Sequence, residues 1–172
     1  VKGYPAVLQK KLGDGYQVKN FGVSARTMMN KGDLPYMNEL AWRDAQAFNP
    51  NIVIVKLGTN DSKTHNWAHG ADEFRQSMQA MIDTLKALPS KPKIYLCSPI
   101  PAFKDTWTIC DSVIVNGEMP IIKKLAKKNK CQFIDLHTSY TYGDMMLNDG
   151  IHPNAKGAAK MADIIFDAIE KK

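Results

Sequence analysis

The stretch Asn51-Ile52-Val53-Ile54-Val55-Lys56-Leu57-Gly58-Thr59-Asn60-Asp61 decides the fold. Its first half is an unbroken apolar run of β-branched residues. A strand with one wet face alternates apolar and polar residues; this run does not. It therefore predicts a strand buried on both faces, the pattern of a parallel sheet covered by helices. Its second half is a Gly-x-Asn-Asp turn at the strand's carboxyl end. Gly58 permits a tight backbone there. Asn60 brings a side-chain NH₂ that can donate to a developing oxyanion. The composition of this turn would also suit an ordinary loop, so its meaning depends on what else reaches the same place.

Outward from this strand, the pattern alternates helix and strand. Residues 4–12 read as a helix with Pro5 in its first turn, residues 16–21 as a strand, and residues 34–48 as a helix ended by Asn49-Pro50. Residues 58–70 form a polar loop. Residues 72–88 carry Phe74, Met78, Met81, Ile82 and Leu85 on one helical stripe. A strand at 93–97 leads to a loop at 99–110. Residues 111–129 read as mostly helix, bent near Gly117 and Pro120. A strand at 132–136 and a loop at 137–153 precede a closing helix, 154–170, with Asn154 as its N-cap. Such alternation predicts the α/β class: a mostly parallel sheet with helices on both faces, in one domain spanning 1–172. Ligands of open α/β sheets bind at the carboxyl ends of the strands. The loops 22–32, 58–70, 98–110 and 137–153 should then share one rim.

Bulk properties narrow the function. The 172 residues are 44% hydrophobic and 23% charged, an ordinary globular composition. The net charge of +6 is concentrated in lysine runs such as Lys123-Lys124 and Lys127-Lys128. No aromatic residues interleave with them as single-strand binding requires, so a nucleic-acid partner is not expected. No apolar run has the length of a membrane span. Cys97, Cys110 and Cys131 are odd in number and lack metal-ligand spacing, so neither a disulfide framework nor a metal site is expected. Cys97 and Cys131 read as apolar fillers. No glycine-rich phosphate loop follows a strand, which disfavours a nucleotide binder.

The second informative segment is Asp149-Gly150-Ile151-His152-Pro153-Asn154. An acid three residues before a histidine, on a loop that opens a helix, can hold one ring nitrogen and leave the other for proton transfer. Asp149 and His152 are therefore the candidate carboxylate–imidazole pair. Gly22, in Asn20-Phe21-Gly22-Val23-Ser24, could present a bare N–H to the same oxyanion as Asn60. Ser24 reads as a turn serine, because no GxSxG elbow surrounds it. Arg26 is expected to pair with a carboxylate such as Asp61. His65 and His69 read as loop histidines and His137 as structural. Trp67, Phe103 and Trp107 form either a platform for a sugar or acyl chain or a lid over the core.

These motifs resemble, in order and spacing, those of the GDSL-type (SGNH) hydrolases, and the likeness runs from about Tyr4 to the end of the chain. The glycine corresponds to Gly22, the GxND motif to Gly58, Asn60 and Asp61, and the DxxHP motif to Asp149, His152 and Pro153. The resemblance implies a flavodoxin-like three-layer α/β/α sandwich and a serine esterase. His152 would be its base, Asp149 its orienting acid, and Gly22 and Asn60 its oxyanion hole. It implies no metal and no organic cofactor. The substrate would be a small-molecule or glycan ester, most like the acetylesterases of sialic acid or plant glycans. A lysophospholipase or thioesterase is the alternative, as is a non-catalytic hydrolase-like binding domain. It favours a secreted or periplasmic protein. In this family the nucleophile lies in a Gly-Asp-Ser motif closing the first, central strand, and neither is found in this sequence. The expectation is that strand and serine belong to a segment ahead of Val1, and that without them a slot opens in the core.

Overall fold

The computed structural model describes residues 3–171. Among these residues seven α-helices run in chain order: α1 (Tyr4–Leu12), α2 (Leu40–Ala47), α3 (Thr64–Trp67), α4 (Ala71–Lys86), α5 (Asp111–Val113), α6 (Met119–Lys128) and α7 (Ala155–Glu170). Three strands, β1 (Ile52–Val55), β2 (Lys93–Cys97) and β3 (Gln132–Ile134), form one parallel sheet in the order β1-β2-β3. Ile52 stands opposite Lys93, and Tyr95 opposite Gln132.

Alternation along β2 divides the core. Ile94 and Leu96 face α4 and α6, where they pack with Phe74, Met78, Ile82, Ile122 and Leu125. Tyr95 and Cys97 face α1 and α7, where they pack with Leu8, Ile134, Leu136, Met161 and Ile165. The result is the helix–sheet–helix sandwich that the strand–helix alternation predicts. Each of these large side chains is almost fully buried, worth about 1.5–3 kcal/mol apiece. The stripe on α4 is the one read from its spacing, and all five of its residues are buried.

Several elements differ from expectation. Residues 16–21 form no strand. No neighbouring strand offers them a ladder among the described residues, and local side chains take up the backbone instead. The Val18 N–H donates to Gln9 Oε1 (2.6 Å), and Gln9 Nε2 donates to the Tyr16 carbonyl (2.9 Å). For the same reason β1 is an edge strand here. Ile52, Val53 and Ile54 are half-buried rather than enclosed on both faces, and only Val55 is buried.

The helix expected over 34–48 is split into a 3₁₀ turn, Tyr36–Asn38, and α2. The backbone of 34–36 is already engaged: the Thr27 N–H donates to the Leu34 carbonyl (2.9 Å) and the Tyr36 N–H to the Thr27 carbonyl (3.0 Å). The loop 58–70 contains a 3₁₀ turn, Asn60–Ser62, and α3. The bend near Gly117 is a π-turn, Ile114–Glu118, joining α5 to α6. No helix among the described residues is long and apolar enough to cross a membrane.

Candidate active site

The loop 144–154 is fixed at both ends before its functional side chains are considered. Asn154 caps α7, its Oδ1 accepting the Gly157 N–H (2.9 Å). The Leu147 N–H donates to the His152 carbonyl (2.8 Å), and the Asn154 N–H to the Met145 carbonyl (2.9 Å). Within this frame the Asp149 carboxylate is held by three donors. Oδ1 accepts the N–H groups of Ile151 and His152 (both 2.8 Å), and Oδ2 lies 2.7 Å from His152 Nδ1. Burial pushes the Asp149 carboxyl up, but the hydrogen bonds from the His152 backbone, the His152 ring and the Ile151 N–H outweigh it. The group is held below the ordinary aspartate value. It stays ionised at neutral pH and keeps the Nδ1 proton, leaving Nε2 as the basic nitrogen.

A second loop clasps this one. The Phe103 N–H donates to the Gly150 carbonyl (2.9 Å), Lys104 Nζ to the Asn148 carbonyl (2.7 Å), and Thr106 Oγ1 to the Asp149 carbonyl (2.8 Å). Trp107 and Thr108 both adopt left-handed backbone angles (φ 56° and 62°), rare for such residues. This turn sets the Trp107 indole edge-on to the His152 ring, with centroids 5.8 Å apart.

Asn60 approaches from the end of β1. One of its amide protons is spent on the Arg26 carbonyl (3.2 Å), which ties the turn to the loop 22–29. Asp61, fully buried, fastens the same two segments: its carboxylate accepts the N–H groups of Met28 (2.9 Å) and Met29 (2.8 Å). Burial pushes its carboxyl up to about 6, against the pull of those hydrogen bonds. The Arg26–Asp61 pair expected from sequence is not formed. Arg26 Nε instead reaches Glu39 Oε1 at 2.7 Å, while Asp61 lies fully buried with its oxygens turned to the Met28 and Met29 N–H groups.

These elements enclose a cavity of about 490 Å³. His152, Asn60, Gly58 and Trp107 line it, together with the segment 23–26, Lys56, Lys63 and the apolar Ile100, Ile109 and Ile151. Lys56 is pulled below the ordinary lysine value by burial, partly offset by the Cys97 thiol. Three of the expected site residues, Gly22, Trp67 and Phe103, do not line this cavity, and the two aromatics take the core-covering place that was their alternative reading. Gly22 does not line the cavity, and its N–H is taken by Asn20 Oδ1 (2.9 Å). Ala25 does line it, with φ +66°, and its N–H has no acceptor among the described residues. Trp67 lies on α3, packed against Phe74 (centroids 5.8 Å) and over Gly117. Phe103 packs on the α1–α7 side of the core and against Tyr142 (5.4 Å). Of the three rim aromatics, Trp107 alone lines the cavity. Among the described residues no serine hydroxyl is hydrogen-bonded to His152; Ser24 lines the cavity without such a contact. His65 pairs with Asp33 (2.8 Å) and His137 with Asp111 (2.9 Å), both outside the cavity.

Residues 1–160 match the GDSL-like Lipase/Acylhydrolase family. The chain belongs to this family. It is 55% identical to an acetylxylan esterase of Xylanibacter ruminicola over 186 aligned positions, covering 98% of this chain and 38% of that protein. It is 26% identical to a multidomain esterase of Ruminococcus flavefaciens, covering 72% of this chain and 16% of the relative. The chain thus spans well under half the length of these curated relatives. Among solved structures it superposes on Est24, a carbohydrate acetylesterase from Sinorhizobium meliloti (TM-score 0.75, 23% identity, covering 97% of this chain and 84% of that one). It also superposes on Axe2, an acetylxylan esterase from Geobacillus stearothermophilus (TM-score 0.74, 17% identity, 99% and 82%). Identities this low speak for the GDSL α/β fold.

Sequence reading missed Ala25, Lys56 and the clasp formed by Phe103, Lys104 and Thr106. Lys56 stood inside the decisive stretch, and the one lysine in an apolar run was a visible signal. The clasp left no trace in any local pattern.

Proposed function

We propose that this chain is the esterase unit of a protein that removes acetyl or other short acyl groups from carbohydrates. One observation carries the reading: His152, held by Asp149 at 2.7 Å, and the Asn60 amide line the same cavity. The 55% identity to an acetylxylan esterase supports a carbohydrate ester. The exposed Trp107 indole beside His152 suits stacking on a sugar face.

The nucleophile of this reading is a serine in the Gly-Asp-Ser motif that the family resemblance implies. His152 Nε2 takes the serine proton as the hydroxyl attacks the acyl carbon. Asp149 stabilises the imidazolium that forms. The tetrahedral oxyanion is met by the free N–H of the Asn60 amide and by the Ala25 N–H. Each such donor is worth about 2.7–4 kcal/mol in the transition state. His152 then gives its proton to the departing sugar alkoxide, and water releases the acyl group by the same route. The test is turnover by the full-length protein of acetylated xylan and of p-nitrophenyl esters of rising chain length. Acetyl preference is expected; preference for long chains would put a lysophospholipase or thioesterase in its place.

A further inference from the structure

Glu118, the last residue of the π-turn, has no exposed surface, and neither carboxyl oxygen has a hydrogen-bond partner among the described residues. Such an orphaned acid is rare in a folded chain. Its position is specific. A Cβ placed on Gly58 would lie 2.6 Å from Glu118 Oε2 and 2.9 Å from Pro99 Cγ. The carboxyl thus occupies the space where a side chain at 58 would be, against a residue whose φ of +137° only glycine holds without strain. The turn that aims Asn60 begins at Gly58: the Ser62 N–H donates to the Gly58 carbonyl (3.2 Å). Behind Glu118, the π-turn is itself pinned, because Trp67 covers Gly117 too closely for any Cβ there.

We propose that Glu118, though outside the cavity, is a positioning residue for the oxyanion turn: its carboxyl is wedged behind Gly58 and sets where Asn60 stands. The inference rests on the esterase reading for its catalytic consequence, and on packing alone for the wedge. Close-packed interiors transmit such contacts without slack.

The site disfavours a charge on the wedge. Burial drives the Glu118 carboxyl well above the ordinary value, and the neighbouring Asp61 charge adds to this. Among the described residues Asp61 is the one charged group acting on it; Gly58, Pro99, Gly117 and the Trp67 ring bring none. Ionising Glu118 would set a second buried negative charge beside Asp61, with no cation acting on it among the described residues. The turn is then pushed from its place, so the protonated form is the productive one.

The test compares the full-length wild type with E118A and E118Q, measuring kcat and KM for an acetyl ester from neutral to alkaline pH. E118A should lower kcat about tenfold or more with KM changed less than about threefold, the pattern of an interaction made only in the transition state. E118Q, equal in shape and without charge, should restore kcat to within about threefold and abolish the alkaline decline. Wild-type kcat in E118A, or an unchanged alkaline decline in E118Q, overturns the proposal. Two readouts do not depend on turnover. The infrared carbonyl band of a protonated carboxylic acid should be present in wild type at pH 8 and missing in E118Q. Amide exchange at residues 59–62 should quicken in E118A and not in E118Q. Absence of that band in wild type sinks the wedge even if the protein is an esterase. Presence of the band and of the exchange difference in a protein that turns over no ester sustains the wedge and removes the functional reading instead.

Discussion

Replacing Asp61 by Asn tests whether burial or hydrogen bonding dominates at the joint between the turn after β1 and the loop 22–29. Asp61 is fully buried and accepts two backbone N–H groups, yet its carboxyl is raised from 3.8 to about 6. A raised acid binds its proton more tightly in the folded chain than in the unfolded one. The stability associated with protonated Asp61 is therefore complete below pH 3.8 and lost as pH rises to about 6. The shift is about 2 pH units, or about 3 kcal/mol across that window. Asn does not titrate, so the variant lacks this slope. The amide oxygen can keep one N–H but sets its NH₂ against the other, which costs about 1–3 kcal/mol at any pH. Asp61→Asn should thus be less stable than wild type near pH 4 and recover by about 3 kcal/mol relative to it by pH 7. Urea denaturation followed by tryptophan fluorescence between pH 4 and 7 reads this difference directly. A constant gap would refute the reasoning, as would a deficit that grows with pH. Either would mean that the two N–H bonds outweigh the desolvation of the carboxylate.

The remaining predictions concern turnover in the full-length protein. Asn60→Ala should lower kcat on acetyl esters by about 10²–10³-fold with little change in KM if, as proposed, its free amide proton serves the oxyanion; steady-state kinetics checks it. Asp149→Asn should lower kcat by about 10⁴-fold, since an amide can donate to Nδ1 and move the ring proton to Nε2, while thermal melting stays close to wild type. Trp107→Ala should raise KM for acetylated xylan several-fold and leave p-nitrophenyl acetate nearly untouched, stacking on a ring being worth about 1 kcal/mol. Equal effects on both substrates would remove the sugar-platform role.

What could be read from the chain was local in sequence. The Asp149–His152 contact spans three residues on a capped loop, so backbone geometry nearly fixes it. The apolar stripe of α4 follows from the helical repeat, and Asn154 caps α7 through a bond to a residue three positions on. The GxND turn belongs to the same class, a glycine-led bend at the end of an apolar strand.

The rest depended on which segments the core brings together. Residues 16–21 and 52–55 have the composition of paired strands, but a ladder needs a neighbour, and the described fold gives β1 a partner on one side only. Trp67 and Trp107 both read as rim-loop aromatics from sequence; packing sets one, half-buried, against Phe74 and leaves the other at the cavity. Asp61 reaches Met28 across 33 residues, and Glu118 meets Gly58 across the whole of β2 and its flanking loops. Side-chain spacing along a chain encodes faces and caps, because those are set by the backbone's own repeat. Which faces meet, and which acid ends up behind a glycine, is set by the joint packing of distant segments, and only the folded chain decides it.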